Sequence, residues 1–151
     1  MIIIHPFAKP LQNGKINPKN YPFWKELITL LNEPVVQIGV EGEEQLVDDF
    51  RKNLSIMELR QLIKDCSSWI AVDSFFQHLA WSEGKQGIVL WSVSDPVIFG
   101  HNSNINLLKD RVYLAKNQFL WWDFTEYNPD AFVKPQEVIK FLHSKRQDKN
   151  L

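Results

Sequence analysis

The residues best suited to chemistry follow a short apolar run near the middle of the chain. Residues 69–72 are typical of a buried strand, and Asp73 and Ser74 come directly after them. Ser74 and Gln77 form an S-x-x-Q capping box, which predicts that a helix begins here and presents free N–H groups and a partial positive charge. His78 lies one turn into this helix. The arrangement suits a phosphate group, and the structural alternative is that Asp73 caps the helix and His78 is a core histidine.

Other predicted strands place polar or flexible residues at the same edge. The apolar runs predict strands at residues 2–5, 35–40, 69–72, 87–91 and 112–114. The first four are followed or closed by His5, Glu41, Asp73 and Ser92. Because ligands of parallel sheets bind outside the carboxyl ends of the strands, these residues predict one shared site.

The predicted helices alternate with the strands. Helical spacing and caps predict helices at residues 21–31, 45–52, 56–65, 74–81 and 135–144. Long loops are predicted at residues 7–20 and 101–106. This alternation predicts an α/β fold, a Rossmann-like three-layer parallel sheet flanked by helices. We assign it to a single domain over residues 1–144, followed by a polar tail over residues 145–151.

Composition excludes several classes of protein. The 151 residues include 17 Lys and Arg against 18 Asp and Glu, so a bulk-charge argument for nucleic acid or an anionic membrane fails. The single cysteine, Cys66, excludes an internal disulfide and fits a reducing compartment. No apolar run reaches the roughly 18 residues that span a membrane. We therefore expect a cytoplasmic protein with no membrane span and no nucleic-acid partner.

Common catalytic patterns are missing from the sequence. It contains no G-x-G-x-x-G or Walker A loop, and Ser74 lacks the G-x-S-x-G context of a hydrolase nucleophile. The histidines have no metal-ligand spacing with Cys66 or a carboxylate, so we expect no metal site.

Several ordered motifs carry a resemblance to a known family. Residues 69–80 (WIAVDSFFQHLA), 84–91 (GKQGIVLW) and 94–100 (SDPVIFG) resemble a strand ending in Asp-Ser/Thr-Gly, a His-Leu-Ala helix and a Gly-Lys-Pro turn. Upstream, residues 3–6, 39–44 and 55–63 also match. Together, from about residue 2 to residue 100, they resemble the heptosyltransferase-like glycosyltransferases of family nine.

This resemblance implies the carboxy-terminal, donor-binding half of a GT-B fold. Such a half binds a nucleotide-diphosphate sugar, usually through ADP, and needs no metal or other cofactor. The resemblance places Lys15, Asp73, Ser74, Phe75, Phe76 and His78 at the diphosphate. It places Glu41 at the ribose, Leu54 and Ser55 at the base, and Ser92 and Ser94 on the sugar side. For Lys15 and Glu41 a solvated surface role is the alternative.

The sequence also departs from the family. Phe75 stands where the family has glycine, and residues 91–94 replace its Gly-Pro-Thr loop. Complete members have about twice this length, and their catalytic carboxylate lies in the other half. No catalytic residue is therefore assigned, and the expected function is donor binding together with an acceptor-binding partner half or in a homo-oligomer. The alternatives are a non-catalytic nucleotide-binding or protein-interaction module and, third, a nucleotide-sugar hydrolase.

An aromatic cluster lies ahead of the predicted final helix. Trp121, Trp122, Phe124 and Tyr127 lie close together in an otherwise irregular segment. They either pack the final helix onto the sheet or form a docking face for a partner, since aromatic residues are enriched at interfaces.

Overall fold

The protein is built on one six-stranded parallel sheet. Its structure is a computed structural model that describes residues 1–120 and 122–148. The strands are β1 (Ile2–His5), β2 (Val35–Gly39), β3 (Asp49–Lys52), β4 (Ser68–Val72), β5 (Ile88–Trp91) and β6 (Ile105–Leu108). They lie in the order β3-β2-β1-β4-β5-β6, and every neighbouring pair is parallel.

Helices connect most of the strands. They are α1 (Trp24–Thr29), α2 (Ile56–Asp65), α3 (Phe75–Ser82), α4 (Pro96–Phe99) and α5 (Pro135–Asp148), with short 3₁₀ turns at Arg111–Tyr113, Trp122–Phe124 and Pro129–Ala131. Helix α5 continues through Asp148, beyond the predicted start of the polar tail. Residues 149–151 of that tail, and Trp121 of the aromatic cluster, lie outside the described residues. No helix among the described residues is long and apolar enough to cross a membrane.

Alternating side chains give the sheet two buried faces. Ile2 and Ile4 of β1 belong to a core with residues of α1 and α5, whereas Ile3 belongs to a second core with residues of α2 and α3. Strands of this kind read as continuous apolar runs because both of their faces are covered. The predicted fold class is thus confirmed: the chain is a Rossmann-like three-layer α/β domain.

Three predicted elements are wrong. Residues 45–52, predicted as a helix, contain β3, because this segment pairs with β2 along the sheet edge. Residues 101–106, predicted as a loop, lead into β6, which pairs with β5. Residues 112–114, predicted as a strand, fall at the 3₁₀ turn Arg111–Tyr113, which Asp110 caps.

The strand order defines where a ligand crevice must lie. From β1 the chain moves to β2 and β3 on one side, whereas β4, β5 and β6 lie on the other. The order 3-2-1-4-5-6 is that of Rossmann folds, whose ligands bind at the carboxyl ends of the two strands where the direction reverses. Here those ends are His5 of β1 and the Asp73–Ser74 pair after β4.

Candidate functional site

Asp73 lies at the centre of a buried polar network at the end of β4. One carboxylate oxygen, Oδ1, accepts a hydrogen bond from Gln77 Nε2 at 2.7 Å. The other, Oδ2, accepts one from Ser94 Oγ at 2.7 Å and pairs with Lys19 Nζ at 2.8 Å. Only 5% of Asp73 is exposed, so the carboxylate is balanced by one cation and two neutral donors.

Lys19 brings the long loop after β1 into the site. Besides its ion pair with Asp73, its ammonium lies 4.9 Å from the centre of the Trp122 ring, within cation–π range. Its side chain is largely buried, with 17% exposed. The family resemblance implies Lys15 as the phosphate-binding lysine and not Lys19, because nothing in the sequence marks which lysine of this loop turns inward.

Further hydrogen bonds hold the loop after β1 in place. Ser92 Oγ donates to the Pro18 carbonyl at 2.8 Å, and Tyr127 donates to the Asn20 carbonyl at 3.1 Å. Asn17 is buried and its side chain donates to the Lys9 carbonyl. These bonds hold the backbone on both sides of Lys19, which therefore has a fixed position at the crevice.

Ser74 does not cap its helix. Its side chain makes no cap hydrogen bond to α3, and its Oγ lies instead 2.9 Å from Nδ1 of His5. Gln77, the other half of the predicted capping box, donates to the Asp73 side chain. The predicted helix is confirmed, but its capping box is wrong, because tertiary partners take both side chains.

His5, the last residue of β1, contacts the residues that follow β4 on the other side of the switch point. Its ring stacks on Phe76 with centroids 5.6 Å apart and meets Phe75 edge to face at 5.5 Å. Burial lowers the pKa of His5 to about 4, so the imidazole is neutral at pH 7. The Ser74–His5 contact therefore joins the carboxyl ends of β1 and β4 through uncharged groups.

An open groove of about 420 Å³ lies above the end of β4. Its polar lining includes Lys19, Asp73, Ser74, His78 and Gln118. Its apolar lining is Phe75, Phe99, Phe119, Leu120 and Trp122. The groove thus combines the amino-terminal end of α3, a lysine and several aromatic rings.

A smaller cavity of about 80 Å³ lies on the other side of Phe75. It is lined by His5, Ile38, Gly39, Val40, Arg51, Asn53, Leu54, Leu59 and Phe75. Apart from Phe75 of α3, these residues come from the carboxyl ends of β1, β2 and β3, from the segment after β3 and from the first half of α2. Phe75, 53% exposed, therefore separates two cavities along one edge of the sheet.

His78 has a partner outside the groove. Its Nδ1 lies 2.7 Å from Nε2 of His101, and the His101 ring stacks on Trp81 with centroids 4.4 Å apart. Burial and the neighbouring His78 both lower the pKa of His101. His78 is exposed, so it is not the core histidine that the alternative predicts.

The other residues of the predicted site are dispersed. Lys15 is exposed and lines neither of these two cavities. Glu41 is exposed and pairs with Lys52 at 3.2 Å, while Ser55 caps α2 by accepting from the Glu58 amide. Phe76 is fully buried in the core.

The two residues predicted on the sugar side support the site through hydrogen bonds. Ser92 and Ser94 are buried, and their hydroxyls donate to Pro18 and to Asp73. Neither lines the groove. Of the predicted set, the structure brings Asp73, Ser74, Phe75 and His78 together in the groove and places Leu54 in the smaller cavity.

The residues of the aromatic cluster do not all follow one alternative, packing of the final helix or an exposed docking face. Tyr127 packs against the core that includes α5, whereas Phe124 is 87% exposed. Trp122 lies in the groove beside Lys19. Within residues 1–120 and 122–148, no three His, Cys, Asp or Glu side chains gather as metal ligands.

The fold and the site define the class of this molecule. It is a Rossmann-like α/β domain with a groove and a smaller cavity at the carboxyl edge of its sheet, on either side of Phe75. Comparison with family models, curated proteins and solved structures finds no match.

Proposed function

We propose that the protein binds a nucleotide-diphosphate sugar at this edge, as the donor-binding domain of a GT-B-type glycosyltransferase. The observation that carries the proposal is the uncapped amino terminus of α3, which lies beside a groove that also holds Lys19. Free helix amides and a lysine complement the charge of a diphosphate without a metal ion.

The two cavities suit the two ends of such a ligand. The smaller cavity would take part of the nucleoside, at the ends of β1 and β2, and the groove would take the diphosphate and sugar. The rings of Phe119 and Trp122 offer apolar faces for a sugar. The position of Leu54 in the smaller cavity supports the base site that the family resemblance implies.

The charge of Asp73 does not oppose this proposal. Lys19 pairs with the carboxylate, and Ser94 and Gln77 donate to it, so its charge is largely compensated before a ligand arrives. A phosphate oxygen near Lys19 Nζ would share that cation with Asp73. Lys19 therefore takes the role that the resemblance gave to Lys15.

No catalytic base is part of the proposal. Asp73 is the carboxylate in the groove lining, and all of its contacts are structural. We propose that transfer takes place when an acceptor-binding partner half, or a second copy of the chain, supplies the base.

A non-catalytic nucleotide-binding or interaction module is the second candidate. It is favoured by the exposed apolar side chains at the same edge, Phe75 and Phe119, of which Phe119 is 81% exposed. An apolar edge of this kind can mark a protein-binding surface. Sugar transfer from a bound donor, assayed with candidate acceptor domains, separates the two functions: transfer excludes the second candidate.

Calorimetric titration with ADP, UDP, GDP and the corresponding nucleotide sugars tests the proposal. We expect one nucleoside diphosphate to bind, and at 100 times its dissociation constant to stabilise the fold by about 2.7 kcal/mol. That corresponds to a rise in Tm of roughly 5–10 °C for a domain of this size. Absence of heat and of any Tm shift at millimolar nucleotide would contradict the proposal.

Two lysine variants of the same loop provide the matched control. Lys19→Ala removes the cation in the groove, and we expect the affinity for the diphosphate to fall by roughly 10-fold or more. Lys15→Ala removes an exposed lysine that lines neither cavity of the site and should leave the affinity unchanged. If only Lys15→Ala weakens binding, the assignment of the phosphate site to the groove is wrong.

A further inference from the structure

We propose that His101 is a positioning residue of the groove: it holds one ring nitrogen of His78, and so makes the binding of a phosphate group by His78 depend on the uptake of one proton. The inference rests on the proposed function, because it concerns how the same groove recognises a diphosphate. It adds a residue that lies outside the groove lining and a coupling between ligand affinity and pH.

A short contact between ring nitrogens joins the two histidines. Nδ1 of His78 lies 2.7 Å from Nε2 of His101, and the two ring centroids are 5.0 Å apart. Such a contact is a hydrogen bond only if one of the two nitrogens carries a hydrogen and the other does not. The pair therefore cannot carry a hydrogen on both of these nitrogens while the contact lasts.

A third ring sets the position of His101. Its imidazole stacks on Trp81, with centroids 4.4 Å apart and ring planes 7° apart. Burial and the neighbouring His78 both lower the pKa of His101, so its neutral form is favoured. A neutral His101 with its hydrogen on Nδ1 accepts a hydrogen bond through Nε2. A positive charge on the pair consequently belongs on His78, whose Nδ1–H then donates to His101.

The other nitrogen of His78 is available to a ligand. His78 is exposed and lines the groove, and its Nδ1 is occupied by His101. Within the described part of the chain, no side chain or backbone group bonds to its Nε2. A charged His78 donates from both nitrogens at once, so a phosphate oxygen in the groove can accept from Nε2. Since hydrogen bonds between charged groups are roughly twice as strong as neutral ones, this oxygen favours the charged ring.

Among the described residues, the charged groups around His78 are either absent or already paired. Asp73 is the carboxylate of the groove lining, and it pairs with Lys19. Helices α3 and α4 and residues 100–104 contain no Asp, Glu, Lys or Arg, and the groove-lining residues of the loop after β6 are uncharged. The acidic residues that flank these segments are in ion pairs: Glu83 with Arg60, and Asp95 with Arg111. The negative charge that favours a charged His78 must therefore come from a bound anion.

Ligand affinity and the charge of His78 are then linked. A ligand that prefers the charged ring raises the pH at which that ring titrates, and by reciprocity the ligand binds more tightly as the pH falls through this range. An opposite charge close to a titrating group shifts its titration by roughly one pH unit or more. We expect binding at pH 6 to be about 10-fold tighter than at pH 8. His5, with a pKa of about 4, stays neutral across this range.

NMR titration of the histidine rings with ADP-glucose, UDP-glucose and GDP-glucose tests the coupling. These probes are chosen because their diphosphate holds no proton that titrates near neutral pH. We expect the one that binds to raise the midpoint of the His78 titration by about one pH unit. His143, an exposed histidine of α5, is the internal control and should not move. Sodium sulfate, compared with sodium chloride at equal ionic strength, is a second probe that supplies an anion without a nucleoside.

Two variants of His101 separate positioning from support of the fold. His101→Gln offers an amide oxygen that can accept from His78 Nδ1, and should keep most of the shift at His78. His101→Phe keeps a ring beside Trp81 but removes the acceptor, so it should lose most of the shift and of the pH dependence of binding. Circular dichroism checks that both variants fold. A shift in His101→Phe as large as in the unaltered protein would overturn the inference.

The outcomes separate this inference from the proposed function. If a nucleotide sugar binds and the His78 midpoint does not move, the inference is overturned and the proposed function stands. If sulfate raises the midpoint in the presence of His101 while no nucleotide or nucleotide sugar binds, the proposed function is overturned and the histidine pair remains an anion site. A midpoint that moves with neither kind of probe would also overturn the inference.

Discussion

Asp73 shows at the level of a single residue why a carboxylate in a groove need not be a catalytic one. Its two oxygens are shared among Lys19, Ser94 and Gln77. Each partner comes from a different part of the chain, so the carboxylate connects the long loop, α3 and the segment after β5. Its main contribution is therefore to the architecture of the site.

Asp73→Ala should accordingly destabilise the fold strongly. The substitution leaves Lys19 without its counter-ion and two buried donors without an acceptor, which we expect to lower the free energy of unfolding by about 3 kcal/mol. Urea denaturation measures this change. Asp49→Ala, which breaks the exposed pair of Asp49 with Arg51, is the control and should change stability by less than about 0.5 kcal/mol. Equal effects of the two variants would contradict this account of Asp73.

His5 predicts a pH dependence of stability. Its pKa falls from 6.5 to about 4 on folding because burial disfavours the charged ring. The folded state holds the neutral form, so this contribution is complete above pH 6.5 and is lost as the pH falls towards 4. Its full size is about 3 kcal/mol.

Urea denaturation between pH 7 and pH 4 checks this dependence against His5→Phe. The variant has no group to titrate at this position, so its stability should fall less steeply over that range. Arg51, which lines the same cavity, is present in both proteins and does not affect the comparison. Parallel pH profiles of the two proteins would show that His5 is not held neutral by burial.

At the scale of elements, the central strands could be predicted from sequence and the outer ones could not. β1, β2, β4 and β5 are buried on both faces or nearly so, and such strands appear as apolar runs. β3, with the sequence DFRK, is mostly exposed at one edge of the sheet, and β6 is only partly buried at the other. Their pairing partners, not their own composition, make them strands.

The N-cap serines show that the contacts of the site, too, cannot be predicted from local sequence alone. Ser55 and Glu58, which stand in an S-x-x-E pattern, form a capping box, because no distant side chain among the described residues binds either of them. The S-x-x-Q pattern at Ser74 failed, because His5 and Asp73 compete successfully. Strand ends could be found from sequence, and so could the groove positions of Asp73, Ser74 and His78. The inward turn of Lys19 depends on loop contacts that no local pattern encodes.

The two N-cap serines, Ser55 and Ser74, differ in a way that can be tested by substitution. Ser55→Ala removes a real cap and should destabilise the protein by about 1 kcal/mol and speed the exchange of the Glu58 amide. Ser74→Ala should leave the exchange of the Gln77 amide unchanged, because no cap is lost. Hydrogen exchange followed by NMR measures both amides. Faster exchange at Gln77 in Ser74→Ala would show that Ser74 caps α3 in solution.

At the scale of the whole molecule, one edge of the sheet concentrates the unusual features. The groove, the smaller cavity and the exposed rings of Phe75 and Phe119 all lie at the carboxyl ends of the strands or on the loops beside them. The net charge of −1 provides no general attraction for anions. The proposed anion binding therefore depends on local groups, which are the amino-terminal end of α3 and Lys19.

The grouping of these features at one edge of the sheet predicts which residues a bound nucleotide would affect. Titration of ¹⁵N-labelled protein with ADP, followed by backbone amide NMR, tests the central claim most directly. The account predicts saturable shifts at Lys19, Phe76 and Gln77 and at the residues around Leu54, with the amino-terminal ends of the strands unaffected. Shifts confined to other surfaces, or no saturable shift at millimolar ADP, UDP or GDP, would contradict it.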